Sequence, residues 1–255
     1  MRRWVLFFLL AVFVVALPAI LTRLSFLQII EIRVSGVRVV SSDAVRDLTI
    51  EELSEYYFGI YPKKNIFFFS KKDIIETLKE NFPRISSVGV SIEGFKSLSV
   101  EIVEREPSAL WCEADDICFF LDESGFVFDR APQFTDAVFV SFLGDLELGP
   151  SDAPVGRNFL NPELFGDLDR FLLALRRLDL PPALVKRTTL DEYEISLVSG
   201  EKILISMSVP LSQIISNLSS LLSDPKLSIR DSFGLSVSSL DLRFGNKVFF
   251  VRKVE

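Results

Sequence analysis

The residues of this chain that could do acid–base chemistry are carboxylates that lie close together in the sequence. They fall between residues 101 and 116: Glu101, Glu104, Glu106, Glu113, Asp115 and Asp116. A pair of carboxylates can act as general acid and general base, as in the hydrolysis of glycosides. Because carboxylates are mostly solvent-exposed, we favour exposed strand faces and a loop for this group. A hydrolase that uses paired carboxylates, with Glu104 or Asp122 essential, is one alternative hypothesis for function.

The chain contains no histidine. No imidazole can therefore activate a serine or cysteine nucleophile, and no histidine can bind zinc. The motifs GxSxG, Walker A, GxGxxG and the EF-hand loop are also missing from the sequence. We predict no catalytic, metal-binding or cofactor-binding residues, no cofactor and no small-molecule substrate, and so a protein that is not an enzyme.

Cys112 and Cys118 are the only two cysteines of the chain. Residues 113–117 between them are typical of a loop, and Ala109–Trp111 and Phe119–Leu121 are predicted to be its flanking strands. In an oxidising compartment a disulfide across this hairpin is the favoured interpretation, and two buried free thiols are the alternative. A metal site is not indicated, because no further ligands lie near the two cysteines.

The uninterrupted apolar run Trp4–Leu21 predicts how the chain is placed relative to a membrane. Its length matches the lower end for a helix that crosses a bilayer. Arg2 and Arg3 precede it, and such residues stay on the cytoplasmic face. We therefore predict a cytoplasmic tail of residues 1–3, a transmembrane helix of residues 4–23, and all later residues outside the cytoplasm. A signal peptide is the alternative, although Leu17, Pro18 and Ile20 make a poor cleavage site.

The remaining chain has the composition of one or two domains with a sizeable core. Hydrophobic residues make up 49% of the 255 residues, and 35 acidic against 28 basic residues give a net charge of −7. The acidic balance argues against binding of nucleic acid, whose phosphates need a basic surface.

Periodicity up to residue 106 predicts the order strand, helix, helix, strand, strand. Apolar residues alternate in the strands, and each helix has an apolar stripe and a serine at its start, Ser41 or Ser42 in one and Ser70 in the other. The apolar stripe of the first helix is predicted to reach Tyr56 or Tyr57. Two helices over one face of a small sheet form an α+β unit with its own core.

Residues 107–255 predict a second α+β domain, rich in strands and interleaved with helices. A helix begins at Asn161 and Pro162, with its apolar side formed by Leu164, Leu168, Phe171, Leu172 and Leu175. A hairpin spans Tyr193–Ile205, and another helix spans about Leu211–Leu222. The segments 134–154 and 161–179 carry no functional interpretation.

The C-terminus predicts a hairpin whose last strand has apolar residues on both faces. Leu240, Leu242 and Phe244 alternate with Asp241 and Arg243, and Gly245-Asn246 is typical of a two-residue turn. A terminal strand often lies at a sheet edge, where its free backbone groups pair with an incoming strand. A core strand covered by a helix is the alternative.

Several of these segments resemble the FtsQ/DivIB family of bacterial cell-division proteins. The resemblance to the family's polypeptide-transport-associated (POTRA) domain, at residues 28–106, depends on Val34-Ser35-Gly36, Ile66-Phe67-Phe68, Asn81-Phe82-Pro83-Arg84-Ile85 followed by Val88 and Val90, and Glu104-Arg105-Glu106-Pro107-Ser108-Ala109. Residues 107–255 resemble the family's β-rich domain at Trp111, at residues 120–128, and at Leu240-Asp241-Leu242-Arg243-Phe244 with its following strand.

The resemblance implies a scaffold of the division machinery in the inner membrane at the septum. It further implies that the last hairpin receives a strand of an FtsB-like protein, itself paired with an FtsL-like protein. The implied partner-binding residues are Leu240, Asp241, Leu242, Arg243, Phe244, Lys247, Val248, Phe249, Phe250, Val251 and Arg252. A purely structural ion pair is the alternative role of Asp241 and Arg243. An assembly or secretion module that binds extended client chains is the alternative function.

Overall fold

A computed structural model describes residues 3–5, 7, 10, 12–14, 24–94, 96–113, 117–134, 138–147, 153–224, 227, 229–231 and 234–253. Of the predicted transmembrane helix, residues 6, 8, 9, 11 and 15–23 lie outside this description, and the described residues between 3 and 14 are helical. Within the described part of the chain, no helix is long and apolar enough to cross a membrane. The chain divides into two compact units, Met1–Arg105 and Glu106–Glu255, here called unit 1 and unit 2.

Unit 1 is a three-stranded sheet with two helices. Its elements are β1 (Glu31–Ser35), α1 (Ser42–Ser54), β2 (Tyr56–Tyr57), β3 (Tyr61–Pro62), α2 (Lys71–Asn81), β4 (Ile85–Glu93) and β5 (Ser97–Glu104). The sheet order is β1-β5-β4, with β1 parallel and β4 antiparallel to β5. The predicted order strand, helix, helix, strand, strand is confirmed. The prediction that the first helix reaches Tyr56 or Tyr57 is wrong, because these residues pair with β3.

Serine side chains begin both helices of unit 1, and their apolar faces pack on the sheet. The hydroxyl of Ser41 accepts a hydrogen bond from the N–H of Ala44 at 3.3 Å, and that of Ser70 accepts one from the N–H of Asp73 at 3.2 Å. Each bond satisfies one backbone donor that the first helical turn leaves free. The core is formed by Ile29, Ile32, Val45, Leu53, Ile74, Leu78, Ile85, Val90, Leu98, Val100 and Ile102.

Unit 2 is built on one nine-stranded mixed sheet. Its elements are β6 (Ala109–Cys112), β7 (Cys118–Leu121), β8 (Val127–Arg130), β9 (Ser141–Leu143), α3 (Pro162–Arg177), β10 (Pro182–Arg187), β11 (Glu192–Leu197), β12 (Lys202–Ser206), α4 (Leu211–Ser223), β13 (Arg230–Asp231), β14 (Gly234–Leu235), β15 (Val237–Asp241) and β16 (Phe249–Arg252). The order in the large sheet is β16-β15-β12-β11-β10-β9-β6-β7-β8. Strands β13 and β14 pair separately.

The helices α3 and α4 contribute their apolar faces to the core of unit 2. Asn161 caps α3 by accepting a hydrogen bond from the N–H of Glu163 at 2.9 Å. The buried face of α3 consists of Phe165, Leu168, Phe171, Leu172 and Leu175. Leu164 was predicted on this face but is exposed, because Phe165 is the residue in phase with the other four. The predicted hairpin Tyr193–Ile205 is confirmed as β11 and β12.

Candidate functional site

The last hairpin, β15 and β16, forms one edge of the nine-stranded sheet. β16 pairs antiparallel with β15, with Asp241 opposite Phe249 and Ser239 opposite Val251. On its other side, no strand of the described residues pairs with β16. The structure thus favours the edge strand over the covered core strand, the two interpretations that the sequence left open.

The two faces of β16 have different surroundings. Val248 and Phe250 are partly buried and pack against the core of unit 2. Phe249 and Val251 point to the opposite face and are 55% and 59% exposed. One face of the strand therefore packs against the core, and the other face presents two apolar side chains to solvent.

The backbone of β16 also directs hydrogen-bonding groups away from the sheet. The N–H of Lys253 donates to the carbonyl oxygen of Ser236 at 3.2 Å, and the carbonyl oxygen of Val251 accepts from the hydroxyl of Ser238 at 3.2 Å. Both groups face β15. Because backbone groups alternate in direction along an antiparallel strand, the N–H and C=O of Phe250 and Arg252 face outward.

The turn before β16 is held by an ion-pair network. Two guanidinium nitrogens of Arg243 lie 2.9 and 2.6 Å from the carboxylate oxygens of Asp241, and the third lies 2.9 Å from Glu192 on β11. The hydrogen bonds from Arg243 outweigh burial and lower the pKa of Asp241. The side-chain amide of Asn217 on α4 also donates to the carbonyl oxygen of Gly245. The turn is thus tied to β11, which is separated from β15 by β12, and to the helix α4.

The two-residue turn predicted at Gly245-Asn246 is wrong. The last paired residues are Asp241 and Phe249, so residues 242–248 form a longer loop. The contacts of Arg243 and Gly245 with distant parts of unit 2 explain the difference, because they hold the chain away from a tight turn. The predicted receiving strand, residues 247–252, is correspondingly shorter at its start.

A buried carboxylate holds the other end of β16. Glu201 is only 2% exposed, and its Oε1 lies 2.7 Å from Nζ of Lys253. Its second oxygen accepts a hydrogen bond from the hydroxyl of Ser199. Burial raises the pKa of Glu201, but the hydrogen bonds from Lys253 and Ser199 outweigh it and the pKa is lowered. An ion pair therefore joins the residue after β16 to the residue before β12.

The predicted partner-binding residues fall into four groups, one of which is the partly buried pair Val248 and Phe250 on the inner face of β16. Leu240 and Leu242 are buried in the core, so their side chains are not part of the surface. Asp241 and Arg243 form the ion pair that the sequence left as an alternative. The exposed members include three apolar residues, Phe244, Phe249 and Val251. The rings of Phe244 and Phe249 meet edge to face with their centroids 5.3 Å apart, which extends the exposed apolar surface into the turn.

The residues that sequence reasoning missed are those that fix the hairpin from a distance. Glu192, Glu201 and Asn217 precede the hairpin by 20 residues or more in the sequence, and each contacts it in the structure. No local pattern identifies them, because a single Glu or Asn that makes a distant contact cannot be told apart in the sequence from one that is only solvent-exposed. Lys253 was placed on the last strand without an assigned role.

Where the structure describes them, the residues singled out for acid–base chemistry each have surroundings of their own. Glu104 is buried and accepts backbone hydrogen bonds from residues 38–40. Asp122 closes a turn, where its Oδ1 accepts from the N–H groups of Ser124 and Phe126 at 2.8 and 3.1 Å. Glu101, Glu106 and Glu113 are exposed, and Asp115 and Asp116 lie outside the described residues.

The two cysteines are joined in the structure. Cys112 and Cys118 face each other at the ends of β6 and β7 and form a disulfide, with their Cα atoms 4.1 Å apart. The bond closes the hairpin at its tip. Behind it, the rings of Trp111 and Phe119 lie against each other with a centroid distance of 5.8 Å.

Comparison with known families gives one match. Residues 27–105 match the family model described as POTRA domain, FtsQ-type, which spans unit 1 from just before β1 to its end and includes none of unit 2. This match confirms the recognition of an FtsQ-type POTRA domain within residues 27–105. No curated protein matches the chain.

Proposed function

We propose, from the FtsQ-type POTRA domain at residues 27–105, that the protein is a non-enzymatic, membrane-anchored scaffold of the bacterial division machinery. It acts at the septum through contacts with other proteins. Its predicted anchor, residues 4–23, crosses the inner membrane once, and residues 24–255 lie beyond the cytoplasm. The exposure of apolar side chains such as Trp4, Phe7 and Phe13 in the described part of that segment supports the anchor.

The partner-binding role depends on one observation, the free and apolar edge of β16. An extended segment of an FtsB-like protein, held by an FtsL-like protein in a coiled coil, adds to the sheet beside β16. Its backbone pairs with the outward N–H and C=O groups of Phe250 and Arg252, and its side chains pack on Phe249 and Val251. Backbone pairing supplies affinity, and the exposed aromatic surface with Phe244 supplies specificity.

A second function is kept because unit 1 also has a free strand edge. β4, Ile85–Glu93, is the longest strand among the described residues and lies at one edge of the sheet of unit 1. Within the described residues its outer side has no paired strand. An assembly or secretion module would bind extended client polypeptides along this edge.

The deciding experiment removes one outward N–H from β16. In Arg252→Pro the outward donor is lost and the proline ring stands in the path of an added strand, whereas the bonds from β16 to β15 use other residues. Arg252→Ala is the matched control, because it removes the same side chain and keeps the N–H. A photo-crosslinking residue at Val251 reports the neighbour of the edge in cells, and captured proteins are identified by mass spectrometry.

The expected result is capture of a small single-span coiled-coil protein in the wild-type and Arg252→Ala backgrounds, and loss of that capture with Arg252→Pro. Circular dichroism of the purified variants checks that both are folded. Equal capture in all backgrounds would contradict strand addition. Capture of barrel or secretion components would favour the second function, and mid-cell localisation of a fluorescent fusion separates the two functions independently.

A further inference from the structure

Unit 1 exposes aromatic side chains on two segments, residues 24–30 and 55–70. Phe26, Tyr56, Phe67 and Phe68 are all exposed there. Phe58, at the turn between β2 and β3, is 92% exposed and has a φ of 53°. Bulky residues rarely adopt that left-handed conformation, and they rarely stand fully in solvent. The position therefore calls for an explanation other than packing within unit 1.

Backbone hydrogen bonds join these two segments side by side. The N–H of Ile66 donates to the carbonyl oxygen of Leu27 at 2.9 Å, and the N–H of Ile29 donates to that of Lys64 at 2.8 Å. The ring of Tyr61 on β3 also stacks on that of Phe68 with a centroid distance of 5.6 Å, so the hairpin that carries Phe58 belongs to the same end of unit 1. We call Phe26, Phe58, Ile60, Phe67 and Phe68 the aromatic end.

The aromatic end begins close in sequence to the predicted transmembrane span. That span ends at residue 23, and Phe26 follows three residues later. The turn between β4 and β5 lies at the same end, because the carbonyl oxygen of Lys96 accepts hydrogen bonds from the N–H groups of Ile30 and Glu31 at 2.8 and 3.1 Å. From there β1 runs away from the span, toward the loop 36–41 at the opposite end.

The charges near the aromatic end fit a lipid surface. Lys64 lies on the segment 55–70, Lys71 follows it directly, and Lys96 lies in the turn between β4 and β5. Phenylalanines with lysines nearby are typical of protein surfaces that enter the boundary between lipid headgroups and acyl chains, and lysines attract anionic headgroups. The opposite end of the sheet exposes aliphatic residues, Val39 and Val103, but no aromatic ones among its described residues.

We infer that the aromatic end inserts into the outer surface of the membrane in which the protein is anchored. Phe58 and Phe67 enter the headgroup region, and unit 1 is held against the bilayer instead of swinging on its tether. This inference rests on the anchor of the proposed function. It adds a second membrane contact, which restricts how unit 1 can present its surfaces to other proteins.

The test uses the full chain reconstituted in vesicles of phosphatidylethanolamine and phosphatidylglycerol. One added cysteine, in Phe58→Cys or Phe67→Cys, carries an environment-sensitive fluorophore, and Val39→Cys and Val103→Cys are the matched exposed controls. Cys112 and Cys118 are bonded to each other and do not react without reductant. A lipid spin-labelled near the headgroup quenches only probes that reach the outer part of the bilayer.

Insertion predicts quenching at positions 58 and 67 about threefold or more above that at positions 39 and 103. Equal quenching at all four positions in vesicle-bound protein would overturn the inference and leave the anchor intact. A fluorophore that is shielded from water but not quenched by the lipid label would also overturn it, because a protein surface would then cover the aromatic end. Failure of the chain to float with the vesicles would overturn the anchor together with the inference.

Discussion

Glu104 offers the sharpest prediction about the stability of unit 1. This last residue of β5 is 4% exposed, and its Oε1 accepts hydrogen bonds from the N–H groups of Arg38, Val39 and Val40 at 2.6, 2.9 and 3.0 Å. It thereby ties the loop between β1 and α1 to the end of the sheet. Burial raises the pKa of Glu104, but the three N–H groups and the charge of Arg84 outweigh it and the pKa is lowered.

Glu104→Gln keeps the size and one acceptor oxygen but removes the charge. A hydrogen bond to a charged group contributes about 1.5–3 kcal/mol and one to a neutral group about 0.5–1.5, so three bonds to one oxygen together lose about 2–3 kcal/mol. Because the pKa is lowered in the folded state, the stabilisation is complete above the unfolded pKa. It is lost as the pH falls through the folded pKa. The difference between the two proteins should therefore be large at pH 7 and small in strong acid.

Hydrogen exchange measured by mass spectrometry reports how strongly Glu104 protects the backbone amides that it binds. At pH 7 the amides of residues 38–40 should exchange about 30-fold faster or more in Glu104→Gln, the factor that corresponds to about 2 kcal/mol. Glu101→Gln, an exposed glutamate on the same strand, is the control and should leave the rate unchanged. Unchanged exchange in Glu104→Gln, or an equal effect of Glu101→Gln, would refute the reasoning.

Two further predictions concern β16 and the backbone of unit 1. Lys253→Met removes the partner of a buried carboxylate, so the amides of residues 251 and 253, which face β15, should exchange about 5–30-fold faster, as expected for a loss of about 1–2 kcal/mol at an ion pair with one half-exposed partner. Lys247→Met is the control, and an equal effect there would contradict the role of the pair. Gly36→Ala should destabilise unit 1 by about 3 kcal/mol or more, measured by calorimetry, because φ is 82° and the added Cβ would lie 2.1 Å from the carbonyl oxygen of Ile102. Gly59→Ala has a similar φ of 69° but open space around it, so it should cost only about 1 kcal/mol, and a matching loss in both variants would rule out the clash.

Most of the elements of unit 1 could be predicted because their signals are local. Serine caps, the apolar stripes of two helices and the alternation in three strands all lie within a few residues of the element they define. Strands β2 and β3 were missed, because two residues each are too few to establish a period. In unit 2, β9 and β10 were missed for a related reason: β9 has only three residues, and Leu184 and Val185 are adjacent in β10 and do not alternate.

The candidate site was predictable in part. Alternation along residues 247–253 placed Phe249 and Val251 on the face opposite to Phe250, as the structure has them. The length of the turn was not predictable, because it depends on contacts of Arg243 with Glu192 on another strand. The core position of Leu240 and Leu242 also depends on distant residues of unit 2, with which both form one core only in the folded unit. Local pattern thus determines which face a residue occupies, whereas burial depends on distant neighbours.

The two edges of the nine-stranded sheet differ in how they are protected. At the β8 edge, the N–H and C=O of Val127 are both bonded to the chain beside it, with Arg157 and Gly156 at 2.8 Å each. At the β16 edge, the outward groups of Phe250 and Arg252 have no such neighbour strand within the described residues, and two exposed apolar side chains flank them. Natural sheets cover, shorten or charge their edges because a free apolar edge invites pairing with other chains. Among the described residues, the β8 edge has a neighbouring chain segment at Val127 and the β16 edge has none, and this contrast is the physical argument for proposing partner binding at β16.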